Sequence, residues 1–504
     1  GALNLVSGSE PTSAASLGAG SVGTVRGSGA LAGEDFSLFV DGFRTDGDFR
    51  WFDDRSTLFV ADDDRFLRRQ NNDKVQGNVL GRVRVGDEAL SFTALNALLS
   101  RYGGVPGFTF SPTEAVRYGL TRDLLSGTVE GLAGTVRLTA RADGMLRRET
   151  FDDRAGEIGV GRVQSEDWSR SLGLRTSADW GVGGHLRLLA SGAVRSDRFR
   201  HRDVLAQTFD PAAGRLVGRA TLAATVALVH DQLIIEPVGR LLVADRADVS
   251  PQLGMRWAAA ESLVVKGNIG RYVRPPDLLE LYGDRGAMRG NPDLRSEVGL
   301  NGDLAVQGRL ERGAAWAQVE VAGFRTDSVD RIVPVQNAQG VILPLNLENA
   351  RIWGLEVAAN GALWDRLESS TNLTRTLSRN LDIDAAYAGN QLPRIPGWML
   401  HQRTSIGFPT LRVGHRYDFA DGNYWDLTNW FRSPPRHIHG VFARVSSGPW
   451  SVEGDVLNLT DRIVEGVPLD PLRSAGTSVD QPVTDFAGYP LAGRTFLLTM
   501  RWQE

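Results

Sequence analysis

A strand whose two faces meet different surroundings alternates in polarity residue by residue, and nearly the whole of this chain does so from about Ser13 onward. In the segment 300–311, Leu300, Gly302, Leu304, Val306, Gly308 and Leu310 fall on one face, while Asn301, Asp303, Gln307, Arg309 and Glu311 fall on the other. The segment 171–180 sets Leu172, Leu174, Ala178 and Trp180 against Ser171, Arg175, Ser177 and Asp179. The last strand does the same with Phe496, Leu498, Met500 and Trp502. No helical period interrupts the run.

Connection lengths add a second constraint. Tight turns at Leu31–Asp35, Val85–Glu88, Gly131–Gly134, Gly181–Gly184, Val229–Gln232, Ala258–Glu261, Arg309–Gly313 and Ser446–Pro449 alternate with longer stretches. The longer ones are Asp46–Asp73, Gly103–Ala115, Phe151–Glu166, His201–Gly214, Pro275–Leu294, Asp327–Leu343, Leu381–Pro396, Asp421–Pro435 and Asp461–Gly488. Short turns on one side and long loops on the other are the pattern of a barrel that crosses a membrane. The count predicts an all-β fold, a transmembrane antiparallel β-barrel of about 22 strands with both barrel ends on the short-turn side. A propeller would show a blade repeat, and none is present.

Composition narrows the function. A net charge of −4 leaves no basic excess for a nucleic-acid backbone, and the absence of cysteine excludes disulfides and thiolate chemistry. No apolar run approaches the roughly 20 residues of a membrane helix, a test that alternating strands evade. No GxSxG elbow, Walker-type loop or HExxH pair is present, so the chain reads as no enzyme, with no catalytic residues and no cofactor. The opening GALNLVSGSEP lacks a basic region and an apolar core, so no signal peptide is read there and a mature fragment is expected.

Several segments resemble TonB-dependent receptors, the active outer-membrane transporters of Gram-negative bacteria. Gly1–Ser7 (GALNLVS) is similar to the end of that family's plug domain. The stretch 274–297, with RPPDLLELYG and then GNPDLRSE, resembles its ELYG and GNP-L-P-E features, with Ser296 in place of the proline. NARIWGLE at 349–356, LPRIP at 392–396, NLTD at 458–461 and GYPLAGR at 488–494 follow in the family's order. Trp353 replaces a small or basic residue, and the terminal aromatic, Trp502, lies two residues from the end. A GVPG run at Gly104–Gly107 lends the first half minor support.

The resemblance implies a cell outer membrane location and energised uptake of a scarce, bulky nutrient: an iron–siderophore complex, cobalamin, a saccharide or a peptide. Residues 1–12 are expected to be a plug remnant and linker, and 13–504 the barrel. The implied partners are the plug domain, the TonB–ExbB–ExbD complex acting through an N-terminal region, outer-membrane lipid or lipopolysaccharide, and the barrel-assembly machinery. Without a plug such a barrel would enclose an aqueous lumen, so a passive channel remains an alternative, as does a structural or secretion scaffold.

Tyr102, Tyr282, Tyr424, Trp425 and Trp430 are candidate substrate contacts, because aromatic rings supply contact area at low entropic cost; packing in loops or girdles explains them equally. Arg44, Arg175, Arg195, Arg325 and Arg375 lie near upper strand ends on polar faces; lumen-facing, Arg325 and Arg375 would suit an anionic substrate, or would pair with lumen acids. His437 and His439 share a strand face without a third ligand, and that face continues through Val441, Ala443 and Val445 as a lipid-side or girdle face. The acidic run at 53–64 (Asp53, Asp54, Asp62, Asp63, Asp64) is interleaved with arginines and reads as a solvated loop, so no metal site is expected.

Overall fold

The computed structural model describes residues 12–504 apart from 56, 58, 59, 159, 160, 286, 287, 337–340, 365, 383–386 and 469–477. The plug-like segment Gly1–Ser7 lies outside the described residues.

Twenty-two antiparallel strands form one sheet closed on itself. The first strand, Thr12–Gly20, pairs on one side with Thr24–Ala32 and on the other with the last strand, Thr495–Gln503, with Ala14 opposite Gln503. Closure leaves no open edge along the wall, so neighbouring strands satisfy its backbone donors and acceptors without water, apart from local interruptions such as the one at Ala224–Thr225 and the irregularity at Ala258–Ala260. The described residues add a two-residue ribbon at Thr208–Phe209, small hairpins in the loops, and one α-helix, Leu278–Tyr282. That helix starts at a capping box, in which Asp277 and Glu280 satisfy each other's backbone ends.

On one rim the connections are four residues or fewer, as at 134–135 and 229–232. On the other they reach 46–73, 275–296 and 458–494, although 21–23 and 244–246 are short there too. One expectation is corrected. Most of Asp327–Leu343 is strand, because Ala315–Gln336 and Ile342–Leu363 stay paired up to Gln336 opposite Ile342. Their tips extend past the barrel rim because Val333 and Leu347 bury against Leu392 and Leu427 of neighbouring loops. The charged residues at its start are paired: Asp327 with Arg325 and Arg351, Asp330 with Arg295.

The distribution of polarity is inverted relative to a protein solvated by water. Leu172 (71% exposed), Leu222, Leu304 and Leu310 point outward, while Ser126, Ser171, Asp197, Glu453 and Thr499 are buried inside. The inner acids are paired: Glu453 lies between Arg444 (2.5 Å) and Arg501 (3.3 Å), Asp455 meets Arg416 at 2.9 Å, and Lys266 meets Glu320 at 2.8 Å. Such a surface is solvated by hydrocarbon, since apolar side chains there lose nothing and lumen charges keep their partners.

Aromatic rings mark the edges of the apolar belt. Trp180, Trp257, Trp316, Trp364, Trp450 and Trp502 sit at or beside the short turns, and Trp450 and Trp502 approach to 6.5 Å. Toward the long loops, outward Tyr102, Trp168, Trp353, Trp398 and Tyr417 form the second girdle. On the strand Val163–Val182, Trp168 and Trp180 stand a dozen residues apart. At ~3.3 Å per residue and a tilt of ~40°, that separation spans roughly 30 Å, the thickness of a bilayer's hydrocarbon core.

Candidate functional site

The long loops fold inward over their rim and enclose a cavity of about 1940 Å3. Its floor is the upper lumen wall, where Lys74, Arg101, Tyr118 and Phe151 face in; its sides come from the loop stretch 105–111, from Arg285 and Met288, from Tyr387 and Pro393, and from the loop around 421–435. Rings dominate one wall: Phe108 stacks on Phe110 at 5.2 Å, Tyr489 lies 4.9 Å from Phe108, and Trp425 lies 6.2 Å from Phe110. The charges interleave, with Lys74, Arg101, Arg285 and Arg432 against Asp73, Glu157, Asp421 and Asp426.

These loops are tied down by specific contacts. Arg285, carried by the loop 275–296, inserts into the wall and pairs with Glu149, whose side chain is 3% exposed, and lies 3.8 Å from Asp167. Arg147 (3.0 Å) and the Tyr118 hydroxyl also hold Glu149, and His201 holds Asp167 at 2.7 Å. Arg69, in the loop 46–73, donates to the Gly107 carbonyl under the Trp51 ring. Burial lowers the Arg69 guanidinium to about 10, leaving it charged at neutral pH, and burial with nearby Asp485 raises the Tyr489 phenol.

Three of the resembling motifs have a clear structural task. Glu297 of GNPDLRSE accepts from the Tyr272 hydroxyl at 2.8 Å and from the Ile332 N–H at 3.3 Å. Asn458 of NLTD donates to the Arg462 and Ala492 carbonyls at 3.0 Å, and Asp461 accepts from the Arg494 N–H at 2.7 Å, closing the base of the last loop. Gly354 of NARIWGLE lets the Arg375 carbonyl and the Phe324 ring approach where a Cβ would collide.

The expected contacts divide. Tyr424, Trp425 and Trp430 line the cavity, and Trp430 is 84% exposed. Tyr282 ends the short helix and is exposed, but it is not among the lining residues. Tyr102 faces outward, because its neighbour Arg101 lines the cavity and alternation turns Tyr102 to the face of Phe92 and Leu98. Arg325 and Arg375 also face outward, which corrects their lumen assignment. Arg325 shares the face of Leu304 and Val321 and pairs with Asp327 at 2.6 Å, while Arg375 stands opposite outward Leu355 and lies 5.0 Å from the Trp398 ring. Arg44 is outward as well, opposite exposed Val25, whereas Arg195 faces in and meets Asp197 at 2.6 Å. Sequence reasoning missed Lys74, Arg101 and Arg285, which no local pattern distinguishes from other strand or loop cations.

His437 and His439 face outward with His415 and Tyr417. His415 Nε2 lies 3.1 Å from His439 Nδ1, and the Tyr417 hydroxyl lies 2.8 Å from His437 Nδ1. Among the described residues no three His, Asp or Glu side chains converge as metal ligands.

The closed barrel, its apolar belt and its loop-built cavity define an outer-membrane type of β-barrel. Residues 11–459 match the family model described as TonB dependent receptor-like, beta-barrel, and the chain belongs to that family. Over 224 residues it is 22% identical to the iron-regulated outer membrane virulence protein of Vibrio cholerae, a stretch covering 39% of this chain and 34% of that one. The match thus spans about a third of the curated relative's length. Among solved structures, the copper transporter OprC superposes with a TM-score of 0.74 at 15% identity, over 98% of this chain and 82% of that one. A mutant of the ferric enterobactin receptor PfeA from Pseudomonas aeruginosa gives 0.72 at 16%, over 99% and 81%. The siderophore receptor PirA from Acinetobacter baumannii gives 0.73 at 13%, over 98% and 80%. At these identities the likeness concerns the fold.

Proposed function

We propose that the chain is the wall of an energised outer-membrane uptake receptor, and that the cavity beneath the long loops is the first binding site for a bulky, metal-bearing small molecule of the iron–siderophore kind. The observation that carries the reading is the cavity: it is larger than an ordinary small-ligand pocket of roughly 300–1,000 Å3 and is lined by rings with interleaved charges. The family supports transport across the outer membrane, and the similar proteins named above include receptors for ferric enterobactin and siderophores and a transporter for copper. Family and fold are those of receptors rather than enzymes. Tyr424, Trp425 and Trp430 offer the ligand stacking faces, and Arg101 and Lys74 receive anionic groups at the floor. In this reading the GALNLVS segment leads out of a lumen-filling plug, through which the TonB–ExbB–ExbD complex drives passage.

Growth rescue tests it. A receptor-deficient host carrying the protein is supplied with a panel of ferric siderophores under iron limitation. At least one should restore growth, and rescue should vanish when the proton gradient is collapsed. Trp430→Ala should weaken binding of that ligand by roughly tenfold with no loss of barrel stability, as expected for an exposed stacking ring. Uptake that survives loss of the gradient, or a large ungated conductance from the intact protein in planar bilayers, sinks the energised reading in favour of a passive channel.

A further inference from the structure

Over most of the wall the outward face of the belt is apolar, with Leu172, Leu222, Leu304 and Leu310 facing lipid. One sector departs from this. On the strands Leu367–Asn380, Trp398–Gly407 and Leu411–Ala420 the outward residues include Ser369, Thr371, Gln402, Thr404 and His415. The register sets them side by side: Ser369 stands opposite Thr404, Thr404 opposite His415, and Thr371 opposite Gln402. Their alternates face in, where Arg412 reaches both Glu368 and Ser405. Gln402 and Thr404 lie four and six residues below Trp398 of the upper girdle, roughly 10 and 15 Å into the belt at ~3.3 Å per residue and a tilt of ~40°. Water does not reach that depth, and hydrocarbon chains offer neither donors nor acceptors.

The row satisfies itself only in part. Ser369 Oγ lies 3.0 Å from Thr404 Oγ1, the Gln402 amide donates to the same Thr404 hydroxyl, and His415 Nε2 lies 3.1 Å from His439 Nδ1. Among the described residues nothing meets the Thr371 hydroxyl, Gln402 Oε1, His415 Nδ1 or His439 Nε2. The rings above are held in place, since Tyr417 stacks on His439 at 4.5 Å and its hydroxyl lies 2.8 Å from His437 Nδ1.

Beside the row the wall is hollow. Ala443, Gly454, Leu498 and Ala19 stand in one line across four strands, and three of the four are small. They leave a trough of about 910 Å3 in the outer face, with Thr404 and His415 at its polar end.

We propose that this face is the contact between two copies of the chain lying side by side in the membrane. A hydroxyl, an amide and an uncharged imidazole each both donate and accept, and no acid, lysine or arginine stands in the row, so the row is complementary to itself. Two barrels inserted the same way round share a two-fold axis along the membrane normal, which sets the row of one against the row of the other. Small residues and interfacial hydrogen bonds are also what join surfaces inside a membrane, where lipid removes the hydrophobic drive. The size agrees. The five strands from Leu367–Asn380 to Trp450–Leu457, at ~4.8 Å each, make a face roughly 24 Å wide, and a belt roughly 25 Å tall gives about 600 Å2 on each copy. The pair buries about 1,200 Å2, the lower end of the range for specific interfaces. The inference is independent of which ligand the cavity takes.

The chain has no cysteine, so Thr404→Cys places a single thiol on each copy, within the row. In native outer membranes a short bifunctional maleimide should join this variant to itself at twice the chain mass. Leu222→Cys, outward on the far side of the barrel, should stay single. Energy transfer between labelled copies in vesicles reads the strength of the pair. Gln402→Leu/Thr404→Val/His415→Leu should weaken it several hundredfold, at roughly threefold for each of the six polar side chains lost per pair. Ala443→Trp, which fills the trough, should weaken it while leaving every hydrogen bond of the row in place. Both variants should keep the heat-modifiable migration of a folded barrel, because apolar side chains suit the lipid face. Absence of the Thr404→Cys product, or equal cross-linking of Leu222→Cys, overturns the proposal. So does wild-type association in either folded variant. Thr404→Cys joined to a protein of another mass overturns it too, by giving the face to a different partner.

Discussion

Replacing Arg285 with alanine should loosen the loop 275–296 while leaving the barrel intact, and the size of the effect follows from what the guanidinium neutralises. Among the described residues it is the one cation that this loop sets against two carboxylates that are 3% and 2% exposed, Glu149 and Asp167. Breaking a buried ion pair by removing one partner costs about 3–5 kcal/mol when the other is stranded. Here neither acid is stranded, because Glu149 keeps Arg147 and the Tyr118 hydroxyl and Asp167 keeps His201. The Arg285 side chain is also 18% exposed, so about 2–3 kcal/mol is the expected loss. The Ser165 hydroxyl still donates to the Asp284 carbonyl at 2.9 Å, and Arg274 still meets Glu280 at 3.1 Å, so the loop stays tethered at both sides of the lost contact. Hydrogen exchange reads the opening directly. The Gly290 N–H, bonded to the Gly283 carbonyl, and the Asn291 N–H, bonded to the Glu280 carbonyl, should exchange roughly 30- to 150-fold faster, while the wall strands do not change. Adding Glu149→Gln to the variant should recover part of the protection, since it removes the charge left under-compensated. An acceleration below threefold, or a further loss on adding Glu149→Gln, would refute the claim that charge neutralisation holds this loop. Because Arg285 and Met288 line the cavity, the same variant should also bind the transported ligand more weakly.

Three further outcomes test the wall itself. Leu304→Arg, on the lipid side, should destabilise folding into vesicles by about 2–4 kcal/mol in urea titrations, whereas Asn301→Arg, on the lumen side of the same strand, should stay within about 0.5 kcal/mol. Equal effects would contradict the assigned facing. Gly354→Val should sharply lower the yield of heat-modifiable barrel, because its side chain would collide with the Arg375 carbonyl and the Phe324 ring, while Gly308→Val, where a Cβ meets nothing, should assemble normally. In the turn after Val85, the Asp87 carboxylate accepts from the Leu90 and Ala89 N–H groups at 2.9 and 2.8 Å, which holds it below the ordinary 3.8. Its contribution is therefore present above the ordinary value and lost as pH falls through the lower folded one. Exchange at Leu90 should rise over that acid range in the wild type and stay flat in Asp87→Asn.

Period-2 alternation made the barrel legible because, within the belt, the two faces meet opposite surroundings and each residue reports its side. Leu300, Leu304 and Leu310 are outward and Asn301, Asp303 and Gln307 inward, as their polarity says. Past the outer girdle both faces meet water or loops, and polarity stops encoding direction. The ambiguity begins within the girdle itself, where Arg325 stands opposite Trp353 and Arg375 opposite Trp398: an outward arginine at that half-wet level is as well solvated as an inward one, so polarity alone assigns both to the lumen. Tyr102 suffered the converse ambiguity, because a tyrosine suits a girdle and a ligand site for the same amphipathic reason. The hairpin 315–363 was shortened in the reading because its upper half carries paired aspartates alongside buried Val333 and Leu347, and so has no single polar face. The cavity was illegible as a unit, since its walls come from loops far apart in sequence that meet only when the barrel closes.

Several residues that identify the family lie apart from the cavity, although Tyr489 of GYPLAGR, Pro393 of LPRIP and the GVPG run reach it. Glu297, Gly354, Asn458 and Asp461 brace strand ends and loop bases through backbone groups, and none of them lines it. The residues offered to a ligand, among them Arg101, Phe110, Trp425 and Trp430, fall between motifs, on strand ends and loop bodies whose backbone course the motif residues hold. A division of this kind lets ligand-facing side chains change without disturbing loop anchorage, because the anchoring bonds go largely to backbone carbonyls and N–H groups that any residue supplies. It also explains why family membership reads clearly from Glu297, Gly354, Asn458 and Asp461 while the ligand does not: these residues record how the loops are held, and they are not the side chains held out to the ligand.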